Sequence, residues 1–521
     1  MSTQNPSNKR AVYEDRAEEL FQAGKVDTGL EQLELAWRKV PFADSHEVLG
    51  YTNRHLRIAA AYAHLKAGRK CLAAAENTLN GLKAKGQTAQ EDKFLLAILH
   101  SRFDHIWHPK RSLEFFEDKS NREVLNRLYT RGVEPWVVTT HLGFLRAAGD
   151  MTGFDALLNS DPKQTSTPSV FEIGLRLLHS SRRLWDEGQC EPAIANTEAA
   201  VEKLRQDSSS YSSYFLGHGL VDLARYRGGW PLYEEAFANA AEAESLGRKF
   251  ALRWVTSEAV TIRGTLLRRQ GRAREALDLF QRELGDSAHE ITRVNANLAL
   301  NAAWLAAKHN RPGVAKRLLN RCESHLQLYK PSLLLALSSI VDGTLELEKK
   351  NFAHARRSLA KARKIVDQTH LSNFWCRTIL LLSEAWLAYE TRDLRKAVHS
   401  AIKCLELSKE FGIFDCEAQS ILLQSILILD ERLDRRLQDR LYERVLPRLG
   451  SIGDPELLLQ VVANLYQYTW EGEKDIELSD LHLRQLTDLR SRIGLERFQE
   501  LYQKHVAEPT MRRIQRRMFG A

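Results

Sequence analysis

The chain has 521 residues and a mass of 59.5 kDa, several times the usual single-core domain, so it is either multi-domain or an extended repeat. Lys and Arg total 75 against 67 Asp and Glu, a net +8 too modest for a chain that is basic throughout. With 43% hydrophobic and 27% charged residues, wholesale disorder is excluded, and only 13 Pro and 28 Gly disfavour a turn-rich all-β protein.

The N-terminus, MSTQNPSNKR, is polar and lacks an apolar leader segment, so residues 1–8 are expected to form a disordered tail and the chain to be cytoplasmic. The longest apolar stretches, such as Ile421–Leu429, are too short to span a bilayer. Cys71, Cys190, Cys322, Cys376, Cys404 and Cys416 are scattered without a C-x-x-C pair, which predicts reduced, mostly buried thiols rather than a zinc site or disulfide framework.

From residue 9 onward, short helix-breaking turns recur between amphipathic runs. Turns are expected at Gly24, Gly68, His108-Pro109, Gly149, Gly188, Gly228, Gly271, Asn310, Asn351, Arg392 and Arg432, a period of about 41 residues. Seven residues before these points lie Ala17, Ala61, Ser101, Leu142, Ser181, Val221, Gly264, Ala303, Thr344, Ala385 and Ser425, nearly all small. Five residues after them lie Gly29, Ala73, Ala193, Ala276, Ala315 and Ala397, with Ala355 one place early. Small residues at fixed points on consecutive helices let two backbones approach, as a tight antiparallel hairpin requires. The half-units carry i, i+3, i+4 apolar spacing, and no comparable run alternates with period two. A single hairpin cannot bury its own stripe, so neighbours must stack and each repeat should contact only the next.

The small–turn–small pattern of Gly264…Gly271…Ala276 and Ala385…Arg392…Ala397 resembles the tetratricopeptide repeat, in a long-period form. The fold expected is all-α: a right-handed α-solenoid or superhelix of about eleven antiparallel helix hairpins over residues 9–470. Capping helices should follow at 471–507 and a basic tail at 508–521. The longer repeat also resembles the superhelical sensor domains of maltose-regulator-type transcription regulators.

Catalytic signatures are missing from the sequence. There is no P-loop, no G-x-G-x-x-G, no G-x-S-x-G, and neither His46-Glu47 nor His289-Glu290 continues into H-E-x-x-H. No catalytic residue, cofactor or metal is expected. His100, Asp104 and His108 share one helix face, but an i, i+8 pair cannot reach a single ion unaided, so an exposed polar stripe is the reading preferred. Leu433, Leu437, Leu441 and Val445 are expected to form a buried stripe flanked by mixed charges, core packing being preferred to a coiled-coil partner. Arg512, Arg513, Arg516 and Arg517 concentrate charge in the tail, where nucleic acid, anionic lipid or an acidic partner would be met.

In the tetratricopeptide-like family the first helix of each pair lines the concave groove. Counting back three, six, ten and thirteen residues from the turns, the resemblance implies a partner-binding set of Arg182, Trp185, His218, Asp222, Arg225, Thr261, Thr265, Arg268, Asn297, Trp304, Trp386 and Tyr389. The function expected is a non-enzymatic scaffold or adaptor that holds a peptide or protein partner. A ligand-responsive regulator acting on a partner in trans is the alternative, and nucleic-acid association through the tail a further one.

Overall fold

The computed structural model describes residues 6–62, 64–84, 90–107, 114–116, 118–148, 150–160, 163–164, 166–207, 210–229, 232–285, 291, 295–309, 311–326, 333–368, 374–408, 412–429, 435–447, 455–508 and 510. Among them the chain is helical almost throughout; one isolated bridge joins Val133 and Gln164. The helices are α1 (Pro6–Gln22), α2 (Val26–Lys39), α3 (Ser45–Ala61), α4 (Leu65–Ala84), α5 (Gln90–Trp107), α6 (Lys119–Arg131), α7 (Pro135–Ala148), α8 (Met151–Asn159) and α9 (Val170–Asp186). They continue as α10 (Cys190–Arg205), α11 (Ser210–Gly229), α12 (Tyr233–Lys249), α13 (Arg253–Arg269), α14 (Ala273–Leu284), α15 (Ala296–Lys308), α16 (Pro312–Leu326), α17 (Leu333–Glu348) and α18 (Phe352–Gln368). The last are α19 (Phe374–Glu390), α20 (Leu394–Leu407), α21 (Gly412–Leu429), α22 (Arg435–Arg440), α23 (Pro455–Gln467), α24 (Ile476–Ile493) and α25 (Leu495–Tyr502). Three of them, α22, α23 and α25, run on into single wider π turns.

Consecutive helices are joined by turns of the same local chemistry. At a helix end the last carbonyls lack partners, and a residue in left-handed conformation lets a later N–H reach back five positions to one of them. Lys25, Gln189, Arg272, Asn351 and Asp393 donate in this way to Leu20, Leu184, Leu267, Glu346 and Ala388 at 2.8–2.9 Å. His64, Asp150, Leu232 and Arg311 make the same bond to Ala59, Leu145, Arg227 and Ala306. The residue at the bend is Gly24, Gly188 or Gly271 in three hairpins, with φ between +74° and +80°, but Lys350 and Arg392 in two others, at +59° and +64°. Glycine enters that region freely, whereas Lys350 and Arg392 carry the strain of a side chain there.

These bonds correct the turn positions at two hairpins. Gly68 lies inside α4, four residues beyond His64, and its N–H donates to His64 O. Gly228 still belongs to α11. Both glycines make close approaches: a Cβ at Gly68 would fall within the Phe103 ring, and one at Gly228 would lie 3.1 Å from Leu266 Cδ2. Glycine there serves packing between helices rather than chain reversal. The expected turns at His108-Pro109, Gly149, Asn310 and Arg432 fall on residues outside those described.

With the register set by the hydrogen bonds, the position four residues after the reaching N–H is small in eight hairpins, Gly29, Gly68, Ala193, Ala236, Ala276, Ala315, Ala355 and Ala397, and is Phe154 after Asp150; all nine are buried. Ala73, placed in this set by counting from Gly68, is instead exposed. Seven residues before the bends, Ala17, Ser181, Ala224, Gly264, Ala303, Gly343 and Ala385 are likewise buried.

The chain divides into two compact units. Met1–Arg183, Glu191–Leu223 and Ala241–Ala259 form the first; Leu184–Cys190, Ala224–Ala240 and Val260–Ala521 form the second. The first unit has a core around Leu99, Val138, Leu142 and Phe154 and another around Phe21, Leu33 and Ala36. The second has a long core from Phe280 through Ala303, Ile340 and Ala362, and a further one joining Leu459, Val462, Leu486, Leu489 and Leu501 of α23, α24 and α25. Within each unit, ion pairs tie residues about one repeat apart, among them Arg54–Glu14, Arg205–Glu242 and Lys308–Glu348. They align neighbouring hairpins and, being mostly exposed, add little stability.

Contacts are not confined to adjacent repeats. In the first unit Arg57 of α3 pairs with Glu172 of α9 and lies over the rings of Phe171 and Phe215. In the second, Trp185 meets Trp375, and the turn at Gly271 approaches Pro455. The nearest-neighbour expectation is therefore corrected: each unit curls far enough to bring repeats three to five apart together.

The described cysteines Cys71, Cys190, Cys322, Cys376 and Cys404 are buried free thiols. Burial pushes Cys322 and Cys376 up to about 12 and Cys71 higher still, so these thiols stay protonated and inert. No helix among the described residues is long and apolar enough to cross a membrane.

Candidate functional site

In the first unit, successive first helices bring polar and aromatic side chains together. Arg182 of α9 donates from Nε to Asp222 of α11 at 2.7 Å, and its Nη2 lies 3.4 Å from His218 Nδ1. The His218 ring stacks on Trp254 at 3.9 Å and meets Tyr214 edge-on at 4.3 Å. Asp222 is buried, whereas Arg182, His218, Tyr214 and Trp254 are half-exposed. The cluster offers guanidinium donors beside stacked planar rings, suited to gripping a polar group next to an apolar one.

In the second unit, Arg268 of α13 lies over the Trp304 ring of α15 at 4.6 Å. Thr265 donates to Thr261 O, and Asn301 donates to Asn297. Trp386 packs edge-on to Tyr389 at 5.8 Å. Trp185 stacks on Tyr226 at 4.2 Å, with Trp375 beyond it and Arg269 over Trp375.

Counting from the observed bends sorts the projected set. Six residues before the bend lie Arg182, Arg225, Thr265, Trp304 and Trp386, all half-exposed. The other projected positions are mixed. Trp185, Asp222, Thr261 and Tyr389 are buried, while His218, Arg268 and Asn297 are half-exposed. Trp185 is covered because Tyr226 and Trp375 close over it, a contact that spacing cannot reveal. Asp222 is projected by counting from Gly228, four residues short of the Leu232 N–H that reaches back to Arg227, and it turns inward to meet Arg182. Thr344 and Arg57, also six before a bend, are buried.

Residues that spacing missed include Trp254 and Tyr214, which complete the first cluster, and Arg57, Arg102 and Glu172 deeper in the same unit. A tryptophan opening α13 carried no periodic signal. Asp104 and His108, two of the three residues weighed as a metal site, lie outside the described side chains, as do Arg512, Arg513, Arg516 and Arg517. Among the described residues no group of three His, Cys, Asp or Glu side chains is placed to hold a metal ion.

Three histidines of the first unit are held neutral. Burial lowers His55 to about 4; burial and then the Arg122 charge lower His141 to about 4; burial and the surrounding arginines take His179 well below its ordinary range. At His55 and His141 the unfolded chain takes up a proton near the ordinary pKa of about 6.5 and the folded chain only near 4, so the unfolded state binds more protons in between and stability falls as pH drops through that window. At pH 5, His55 and His141 should each cost about 2 kcal/mol relative to pH 8. Denaturant melts of wild type and His55→Gln check this; a wild-type midpoint that stays flat from pH 8 to pH 5 contradicts it.

The structure is a helical-repeat protein of tetratricopeptide-like hairpins. No protein-family model matches the chain, and no curated protein matches its sequence. Among solved structures it is similar to a Rap protein complexed with competence and sporulation factor, at 12% identity and a TM-score of 0.37, covering 86% of this chain and 99% of that one. It is also similar to yeast Tom70, at 11% identity and a TM-score of 0.34, covering 98% of this chain and 97% of that one. At those scores the likeness defines neither a partner nor a site for this chain.

Proposed function

We propose that the chain is a non-catalytic binding protein that holds a peptide or protein partner on the faces of its first helices. The observation that carries this is the half-exposed side chains six residues before the bends: Arg182, beside stacked His218 and Trp254, in the first unit, and Arg225, Thr265, Trp304 and Trp386 in the second. A side chain needed only for folding would be buried, as Tyr226 and Tyr389 are, and large aromatic and arginine side chains left half-open are the residue types that dominate binding energy at interfaces. The reading is tested by selecting peptides from a displayed random library against the whole chain. Selected peptides should bind the wild type and lose about tenfold or more in affinity with Trp304→Ala or with Arg225→Glu combined with Arg268→Glu, the variants keeping the wild-type circular dichroism and melt. Undiminished binding in the folded variants counts against it.

A second reading, regulation by a ligand that alters the curl of a unit, is favoured by the Trp185–Trp375 contact, which links repeats far apart in sequence. A ligand working this way would change the fluorescence of that pair on binding.

A further inference from the structure

We propose that the outer face of the second unit, formed by α16, α18 and α20, binds the phosphate backbone of duplex nucleic acid without regard to sequence. It lies on the second helices of three successive hairpins and does not rest on the partner reading above. These helices, of 15, 17 and 14 residues, carry eleven Lys and Arg against three Asp and Glu. That surplus equals the whole chain's +8, so the rest of the chain is neutral overall. The charges follow the repeat. Two residues after the buried Ala315, Ala355 and Ala397 stand Arg317, Arg357 and His399, and six after them Arg321, Lys361 and Lys403. Those steps lead from a buried position to the opposite side of a helix. All six side chains are exposed except Arg321, which is half-exposed. The same places hold Asp278 and Arg282 in α14, and Ala238 and Glu242 in α12, so the basic row begins with α16.

Side-chain contacts join the three helices into one surface. Lys361 of α18 donates to Glu323 of α16 at 2.5 Å, and Arg363 of α18 donates to Glu384 of α19, the hairpin partner of α20, at 2.8 Å. Acids answer only part of the charge. Lys316 pairs with Asp342, Lys361 with Glu323 and Arg363 with Glu384, and Asp367 and Glu406 are the other acids on these helices. Arg317, Arg356, Arg357 and Lys364 are exposed and in no ion pair among the described residues, and the same holds for Arg395, Lys396 and Lys403 of α20. Such a surface attracts a polyanion, which releases its own counterions on binding. The residue types choose among polyanions. Among the described residues no large apolar side chain of these helices is exposed. A membrane-binding face carries apolar groups that insert, a protein interface carries aromatic anchors, and a single-strand site carries rings for the bases to stack on. This face offers charge and guanidinium forks alone, which suit the regular phosphate array of a duplex.

The test follows the fluorescence anisotropy of a labelled DNA duplex of about 20 base pairs as the full chain is added, at salt from about 50 to 200 mM. The wild type should bind, and log affinity should fall against log salt with a slope of about −4 or steeper, as four or more neutralised phosphates require. Arg357→Gln combined with Lys364→Gln and Lys403→Gln should weaken binding at least about thirtyfold and flatten the slope by about 3, with the wild-type circular dichroism and melt. Should that variant fail to fold, Arg317→Gln with Lys396→Gln takes its place and should flatten the slope by about 2. Three neutralisations in the tail, Arg512→Gln, Arg513→Gln and Arg516→Gln, should leave affinity within about threefold of the wild type. Phosphatidylcholine vesicles with about 30% phosphatidylserine, at equal anionic charge, should fail to displace the duplex. A wild type that does not bind the duplex at about 50 mM salt, vesicles that displace it, or folded outer-face variants that bind as the wild type does, overturn the proposal.

Discussion

Replacing Gly264 by valine should lower stability by about 3 kcal/mol, the upper range for forcing side-chain volume into a packed contact. A Cβ at this position would fall within the Phe280 ring, which lies across the helix from α14 and is itself almost wholly buried. Neither partner can step aside. Gly264 sits in the middle of α13, and the bend at Gly271 fixes how far α13 and α14 can part. Chemical denaturation measures the loss, and Gly264→Val combined with Phe280→Leu should recover part of it, as coupled neighbours do. Gly81 is the control. Nothing lies within 4 Å of a Cβ built there, so Gly81→Ala in α4 should stabilise by about 1 kcal/mol through helix propensity alone. Equal effects at the two glycines would mean that the hairpins are not held by close approach.

The second large effect is expected at Glu172. Its carboxylate is the partner of Arg57, whose side chain is only 3% exposed. Glu172→Gln keeps the shape and leaves the guanidinium buried without its counter-charge, a loss of about 3–5 kcal/mol. Arg57→Met combined with Glu172→Met should restore most of it, because the desolvation cost of both ions disappears together. Unfolding curves of the two single variants and the double variant separate a coupled pair from two independent losses. A double variant that is as unstable as the sum of the singles would place the stabilisation in packing rather than in the ion pair.

Much of this architecture is written locally. The period, the bends at Gly24, Gly188 and Gly271, and the small residues Ala276, Ala315 and Ala397 follow from what a helix end and a close backbone approach require, so they can be read without a structure. Gly68 and Gly228 mislead because glycine answers two demands with the same letter. One is a left-handed bend, the other room for a neighbouring ring or methyl group, and only the i−5 hydrogen bonds separate them. That shift of a few residues rotates every position counted from the bend, since each residue turns the helix by about 100°. Asp222 is buried for this reason. Trp185 is buried for another: it is covered by Trp375, 190 positions later, and no local pattern encodes a contact between distant repeats. Arg57, Arg102 and Glu172 escaped notice on the same ground. Each reads alone as an ordinary helix charge.

The most direct test of the half-open face is reactivity of single cysteines introduced along the first helices. The described native thiols are buried, so they give a quiet background to a water-soluble thiol reagent. Cysteines replacing Arg182, Arg225, Thr265 or Trp386 should be labelled quickly, and those replacing Thr261, Tyr389 or Asp222 at least about tenfold more slowly in the folded chain. A peptide partner selected on the wild type should then slow the first group and leave the second unchanged. Uniform labelling across both groups, or a partner that protects neither, would contradict the account.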